Sequence, residues 1–335
     1  MGEFKDHSAK QVIREQWCMP LLKFIHDSLG CKLIYLGLPG PEAIDLLSWI
    51  DYIEQVIAFQ CRDYPKPSSV SQSKARVQEL EGKLRELERQ GKIKTFAVYD
   101  GYIEEVILKG KDTNGNHFNQ HDIVTIYNLD FCNGITAPLT VVDEKGNSRN
   151  FYKSEAIRKL LEIQRDISSS SRCKKFIMFL TIHSGFWFEE EKRFISQNQD
   201  KDIKQYINTL NKLNGWPKRI KLLKAYMYQI IRNFFCHCDF TPEFLPVLYY
   251  QGIGKEKENW LMHFTFIGSF NKQLSGLAPC FQNPQDFLDQ KFLVIKNNKL
   301  GQIDINGVKE VDCPQDLVKA FENSQCYKQL WSKKR

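Results

Sequence analysis

Apolar and polar positions divide this chain into two regimes. Through residue 183, short apolar runs alternate with amphipathic stretches. Residues 8–29 carry Val12, Trp17, Leu21, Leu22, Phe24 and Ile25 on one face and predict an opening helix. An apolar run at 33–36 enters a Gly37-x-Pro39-Gly40 turn, and a helical pattern over about 42–53 follows it. A second strand is predicted at 55–60, and a surface loop at Pro65 to Pro67, where two prolines fix the backbone and remove donors. Within 73–90, Val77, Leu80, Leu84 and Leu87 recur at three and four residues, opposite Glu79, Glu81, Lys83, Arg85 and Glu88. That is a helix with one apolar stripe, too short for a coiled-coil seam and suited to covering a sheet. Strands follow at 93–99, 122–130 and 175–183, separated by helices at 102–108 and 153–167 and by loops at 112–116 and 168–171. The run at 122–130 is nearly continuously apolar, as in a parallel strand buried on both faces. Strands alternating with helices at this spacing predict an α/β protein with a mostly parallel, Rossmann-like sheet and helices on both faces.

After residue 190 the pattern changes. Residues 190–213 and 218–235 read as helices split by Asn214-Gly-Trp-Pro217, and strands at 244–251 and 260–270 are close enough to form a terminal antiparallel hairpin. From about 285 the pattern is a small α/β appendage, with strands at 292–295 and 301–308 and a helix at 314–324. The predicted organisation is a helical segment at 1–29, a Rossmann-like domain at 30–284 and an appendage at 285–335, without internal repeats.

Composition narrows the function. The 335 residues are 42% hydrophobic, enough for a sizeable core. No window reaches the roughly 18 to 20 apolar residues of a membrane span, and the N-terminus lacks a secretory apolar run, so the expectation is a cytoplasmic protein. Of ten cysteines, only Cys236-His237-Cys238 cluster, without the second pair a zinc site needs, and no metal is expected. Net charge is +7, compatible with nucleic acid but not demanding it. Basic residues concentrate at Lys153, Arg158, Lys159, Arg165, Arg172, Lys174 and Lys175, and again at Lys212, Lys218, Arg219, Lys221 and Lys224. Solvated helix faces and phosphate contacts are both open readings of these segments. No GxxxxGK[ST] occurs, and the glycine turn lacks the full GxGxxG, which disfavours P-loop hydrolysis and dinucleotide oxidoreduction.

The order of five β/α units, a helix and a terminal hairpin resembles the class I S-adenosylmethionine-dependent methyltransferases, and its layout most resembles the three-Cys-motif partner group of bacterial mobile and defence contexts. The resemblance covers about residues 30–270 and implies S-adenosylmethionine as cofactor. It implies a methionine-binding turn at Gly37, Pro39 and Gly40, a ribose contact at Gln60 and an adenine contact at Asp100. The strand-four motif falls on Asn128-Leu-Asp130-Phe131-Cys132-Asn133, where an amino-methylating enzyme would use Asn128 or Asp130 to accept from a target amine and Phe131 to stack on its base. This sequence departs from the pattern: Ile34, Tyr35 and Leu36 lack the strand-one acid, Gln60 replaces an acid, and the motif prolines are missing.

Each candidate has a bland counterpart. Asp130 and Asn133-Gly134 also suit a turn; Asp100 also suits the N-cap of the following helix. His183 is either a base at the crevice or a structural residue, Cys132 has no nucleophile signature, and the aromatics of Gly185-Phe-Trp-Phe188 either stack bases or close a core. Two functions therefore stand: a methyltransferase acting on nucleic acid or nucleotide, or a catalytically silent fold serving as a nucleic-acid-binding or complex-forming subunit, as in bacterial defence.

Overall fold

The computed structural model describes residues 8–60, 70–131, 133–142, 146–168, 175–184, 188–213, 215–251, 260–271, 283–296, 299–304 and 307–309. The proline loop at 65–67, Cys132, most of the polar loop at 168–171, the aromatic residues at 185–187, the hairpin turn at 252–259 and the helix expected at 314–324 lie outside the described residues. Among the described residues, two compact units interleave along the chain: one holds Cys18–Asp130 and Ile135–Phe176, and the other residues 8–17, Phe131–Gly134 and those from Ile177 onward.

The opening helix is broken. Helix α1 (Ser8–Val12) passes into a π-helical turn, Ile13–Cys18, before α2 (Met19–Leu29). Pro20 has no N–H to offer the Gln16 carbonyl, and a π-turn at such a point rearranges the ladder.

In the first unit, β1 (Leu33–Gly37) leads to a short α3 (Ile44–Ser48) and not to the longer helix expected over 42–53. Ala43 sits at φ 52, and Trp49 leaves helical geometry at φ −107, ψ 4, so the helix is confined to little more than one turn. After β2 (Ile53–Gln60), the stripe of α4 (Val70–Arg89) is buried as expected: Leu80 and Leu84 are 0% exposed. Next come β3 (Thr95–Asp100), α5 (Ile103–Lys109) and β4 (Ile126–Asp130). Strand β1 pairs in parallel with both β2 and β4, and β2 with β3, giving the order β3-β2-β1-β4.

A hairpin that the pattern did not predict, β5 (Leu139–Val142) and β6 (Ser148–Phe151), precedes α6 (Lys153–Ser168). Its strands are only four residues each and mostly solvent-facing, with Phe151 the buried residue. Strand β4 is shorter than expected because Gln164 of α6 takes over its entry. The Gln164 amide donates to the Val124 carbonyl at 2.8 Å and accepts from the Val124 N–H at 3.1 Å. Those groups therefore serve no strand neighbour. The same oxygen accepts from Gln120 and from the Tyr127 hydroxyl.

The second unit contains β7 (Lys175–His183), from Ile177 onward, and then α7 (Phe188–Gln197), α8 (Lys201–Thr209) and α9 (Gly215–His237). The helix expected over 190–213 is two helices, because Asp200 caps α8 by accepting from the N–H groups of Asp202 and Ile203. The terminal hairpin forms, but of the arm expected over 244–251 only β9 (Leu248–Gln251) is a strand, preceded by an unpredicted β8 (Phe240–Phe244); both are antiparallel to β10 (Trp260–Phe270). Pro246, lying between them, has no donor for the ladder. Strand β10 also runs against β7: Ser184 N–H donates to the Trp260 carbonyl, and Thr181 Oγ1 bonds His263 Nδ1 at 2.9 Å. The appendage begins with α10 (Pro284–Leu288). It continues through β11 (Phe292–Lys296), parallel to β9, and then through antiparallel β12 (Lys299–Asp304) and β13 (Gly307–Lys309).

The architecture is thus α/β, with β1 to β4 parallel in the first unit and mostly antiparallel pairing in the second. Among the described residues, no helix is long and apolar enough to cross a membrane.

Candidate functional site

The first unit gathers its chemistry at the C-terminal ends of β1, β2, β3 and β4, where open α/β sheets bind ligands. Gly37 and Asn128 are register partners there, as are Gln60 and Asp100. A Cβ on Gly37 would lie 2.3 Å from the Asn128 carbonyl oxygen, which itself accepts from Leu38 N–H at 3.0 Å. Gly37 therefore serves the close approach of two strands. Gly40, at φ 68, makes the turn that lets Ala43 N–H donate back to its carbonyl. Pro39 is half-buried beside it. Lys83 of α4 fastens the turn by donating to the Pro41 carbonyl at 3.0 Å.

Beneath the turn lies a polar cluster. Asn128 Nδ2 donates to the Tyr35 hydroxyl oxygen at 3.3 Å and reaches Asp45 Oδ2 at 3.5 Å. A carboxylate only accepts, so Asp45 fixes which end of the amide faces it. Burial drives the Tyr35 phenol far above its ordinary pKa; the Asn128 bond opposes this, and the charges of Asp45 and Asp130 reinforce it. Tyr35 therefore remains a neutral hydroxyl, and the charges of two carboxylates, Asp45 and Asp130, act on it at the sheet end. Asp45 escapes a reading of the sequence. The family resemblance looks for the acid on strand one, whereas here a carboxylate arrives from α3.

At the neighbouring strand ends, Gln60 is 7% exposed and its carbonyl accepts from Gly101 N–H at 3.1 Å. Asp100 is 3% exposed, and Asn114 Nδ2 donates to its Oδ2 at 3.2 Å. The helix-cap reading of Asp100 is corrected: the N-cap of α5 is Tyr102, with no side-chain cap bond. Thr113 closes over Asp100 through its N–H and hydroxyl, both donating to the Asp100 carbonyl. Asp112 organises this loop, accepting from the N–H groups of Asp100, Asn114 and Asn116 and from the Asn116 amide. Burial pushes its carboxyl pKa up, but these donors outweigh that and hold it below the ordinary value.

Phe131 belongs to the second unit, where its N–H donates to the Thr181 carbonyl. At 4% exposure its ring presents no open face for stacking. His183 is tied through its backbone N–H to the Asn133 carbonyl at 3.4 Å. Among the described residues, Cys236 and Cys238 are in no disulfide, and no metal-holding group of His, Cys, Asp and Glu occurs. The structure therefore brings together Gly37, Asn128 and Asp130 with Asp45 and Tyr35, and it places Gln60 beside Asp100.

Residues 6–215, more than half of the chain, match the family described as PP_RS20740-like. The chain belongs to that family. No curated protein matches the sequence. Several solved structures are similar in fold. A putative transferase from Pyrococcus horikoshii has 10% identity and a TM-score of 0.36, over 81% of this chain and 66% of that protein. A putative RNA methyltransferase from the same organism has 11% identity and a TM-score of 0.32, over 81% and 94%. A modification subunit of a putative type I restriction enzyme from Vibrio vulnificus has 8% identity and a TM-score of 0.37, over 95% of this family member and 52% of that subunit. The fold class rests on strand pairing within each unit: the order β3-β2-β1-β4, all parallel, in the first, and β7, β10 and β9 as neighbours, with β10 reversed, in the second.

Proposed function

We propose that this protein binds S-adenosylmethionine at the ends of β1 and β4 and transfers its methyl group to a nucleic acid or nucleotide. The observation that carries this reading is the Tyr35–Asn128–Asp45 cluster, with Asp130 beside it, under the glycine turn. Its chemistry fits the cationic end of that cofactor: the Asp45 carboxylate offsets positive charge there, Asp130 beside it remains for the target, and a neutral phenol adds no competing charge. Bound there, the cofactor would supply a methyl group to an incoming nucleophile.

The residues divide the work. Asp45 would hold the cation in the ground state; since the sulfonium loses its charge during transfer, that contact favours binding more than rate. Asp130 and Asn128 are acceptors for a target amine, whose charge grows during transfer, so their contribution belongs to the transition state. Gln60 offers an amide to the ribose.

A second reading has its own support. Asn114 already bonds Asp100, and Thr113 covers it, so the position expected for adenine is engaged by the chain itself. That favours a silent fold retained for partners or nucleic acid, as in a defence complex. Calorimetry with S-adenosylmethionine and S-adenosylhomocysteine separates the two. Micromolar binding that Asp45→Asn weakens about tenfold or more, and that Gly40→Trp abolishes, supports the enzyme; no heat at millimolar cofactor leaves the silent subunit.

A further inference from the structure

The two basic segments of the chain differ once their neighbours are placed. Along α6 the charge is largely neutralised locally. Lys153 is buried 3.5 Å from Glu104, Arg158 and Lys159 lie 3.7 and 3.6 Å from Glu162, and Arg165 bonds Asp166. The second segment carries no acids of its own. Between Asp202 and Asp239 the sequence contains no acidic residue, yet it holds Lys204, Lys212, Lys218, Arg219, Lys221, Lys224 and Arg232. Two of these turn inward: Lys224 is 0% exposed and donates to the Leu288 and Gln290 carbonyls, and Arg232 pairs with Asp200. Lys204 and Lys212 are exposed on α8 and the 3-10 turn after it, and Lys218, Arg219 and Lys221 are half-exposed in the first turns of α9. Lys218 reaches back to Asn211 Oδ1 at 3.5 Å, which brings the start of α9 beside that turn. The packed neighbour α10 carries Asp286 and Asp289, the latter accepting from Gln285 and acting by its charge on Tyr206 and Lys224, and α7 carries Glu190 and Glu191, with the charge of Glu190 acting on Tyr226 of α9.

We infer that the α8–α9 junction, with Lys204, Lys212 and Lys218, is the surface that binds the phosphate backbone of nucleic acid. The inference extends the nucleic-acid part of the proposed function and is independent of the cofactor. Clustered cations of one sign match a chain of phosphates, and their binding releases counterions, so affinity falls steeply with salt.

The test uses the full chain and a fluorescently labelled duplex DNA of about 20 base pairs, read by anisotropy between about 50 and 200 mM NaCl without cofactor. The triple variant Lys204→Gln/Lys212→Gln/Lys218→Gln is expected to bind at least about tenfold more weakly, with a log K against log salt slope shallower by about 0.9 for each phosphate no longer neutralised. Arg158→Gln/Lys159→Gln on α6 is expected to bind like the parent. Circular dichroism and calorimetric cofactor titration of each variant separate loss of the surface from loss of the fold or of the cofactor site. The inference is overturned if the parent does not bind the duplex at the lowest salt, if the triple variant binds unchanged, or if the α6 variant carries the loss. Binding to anionic phospholipid vesicles but not to DNA also overturns it.

Discussion

Gly37 and Gly40 look alike in the sequence and differ in what they protect. A methyl group at Gly37 would meet the Asn128 carbonyl at 2.3 Å, where neither backbone can yield without parting β1 from β4. Gly37→Ala should cost about 3 kcal/mol or more. Gly40 has open space, its nearest neighbour being Glu42 Oε2 at 3.9 Å, and only its positive φ resists a side chain. Gly40→Ala should cost about 1–2 kcal/mol. Urea unfolding of the two variants checks the order, and equal losses would mean that the close approach at Gly37 is unimportant. Asp45 shows the limit of motif reading at this scale. Strand one ends in Ile34, Tyr35 and Leu36, so the acid had no signature; only the fold of α3 against β4 brings it to Asn128.

At the scale of elements, side chains decide where the ladders and helices stop. Gln164 stands in for a strand at Val124, and Gln164→Leu would leave the Val124 N–H, the Val124 carbonyl and the Tyr127 hydroxyl without that partner. We expect a loss of about 3 kcal/mol, measured by urea unfolding; a neutral variant would mean water replaces the amide. Lys224 ties α9 to the turn after α10, its ammonium 2.7 Å from the Gln290 carbonyl and over the Phe287 and Phe292 rings at 4.6 and 5.1 Å. Burial, with repulsion from Lys221, lowers its pKa from 10.5 to about 7, while Asp289 opposes the shift. Between those values the unfolded chain binds a proton that the folded one releases. This contribution to stability is therefore complete above 10.5 and is lost as pH falls through about 7. Unfolding free energies at about pH 7, 8 and 9 should rise more steeply in the parent than in Lys224→Met, by up to about 1.4 kcal/mol per pH unit. Parallel slopes would show that Lys224 does not titrate in that window.

For the whole molecule, the linear division at 29/30 and 284/285 follows chain order, whereas compactness follows contacts. Trp17 Nε1 donates to Thr265 Oγ1 at 2.9 Å, which joins the N-terminal segment to the unit built from Ile177 onward. That bond spans 248 residues, and nothing in local periodicity announces it. The alternating pattern did carry the parallel unit, since β1 to β4 each pair as that alternation requires. The β5–β6 hairpin escaped because four-residue strands facing solvent on most positions have no apolar period to read.

By itself, the sequence determined the fold class, the buried stripe of α4, the terminal antiparallel hairpin and the glycine turn, because each depends on the spacing of apolar residues or on a backbone restriction carried by one residue type. Tertiary structure alone decided that Asp45 of α3 meets Asn128 at the sheet end, that Asp100 is engaged by Asn114 and does not cap a helix, and which lysines and arginines of the two basic segments turn inward. Those outcomes depend on which side chains meet across elements distant in sequence, where solvation and pairing, not spacing, set the balance.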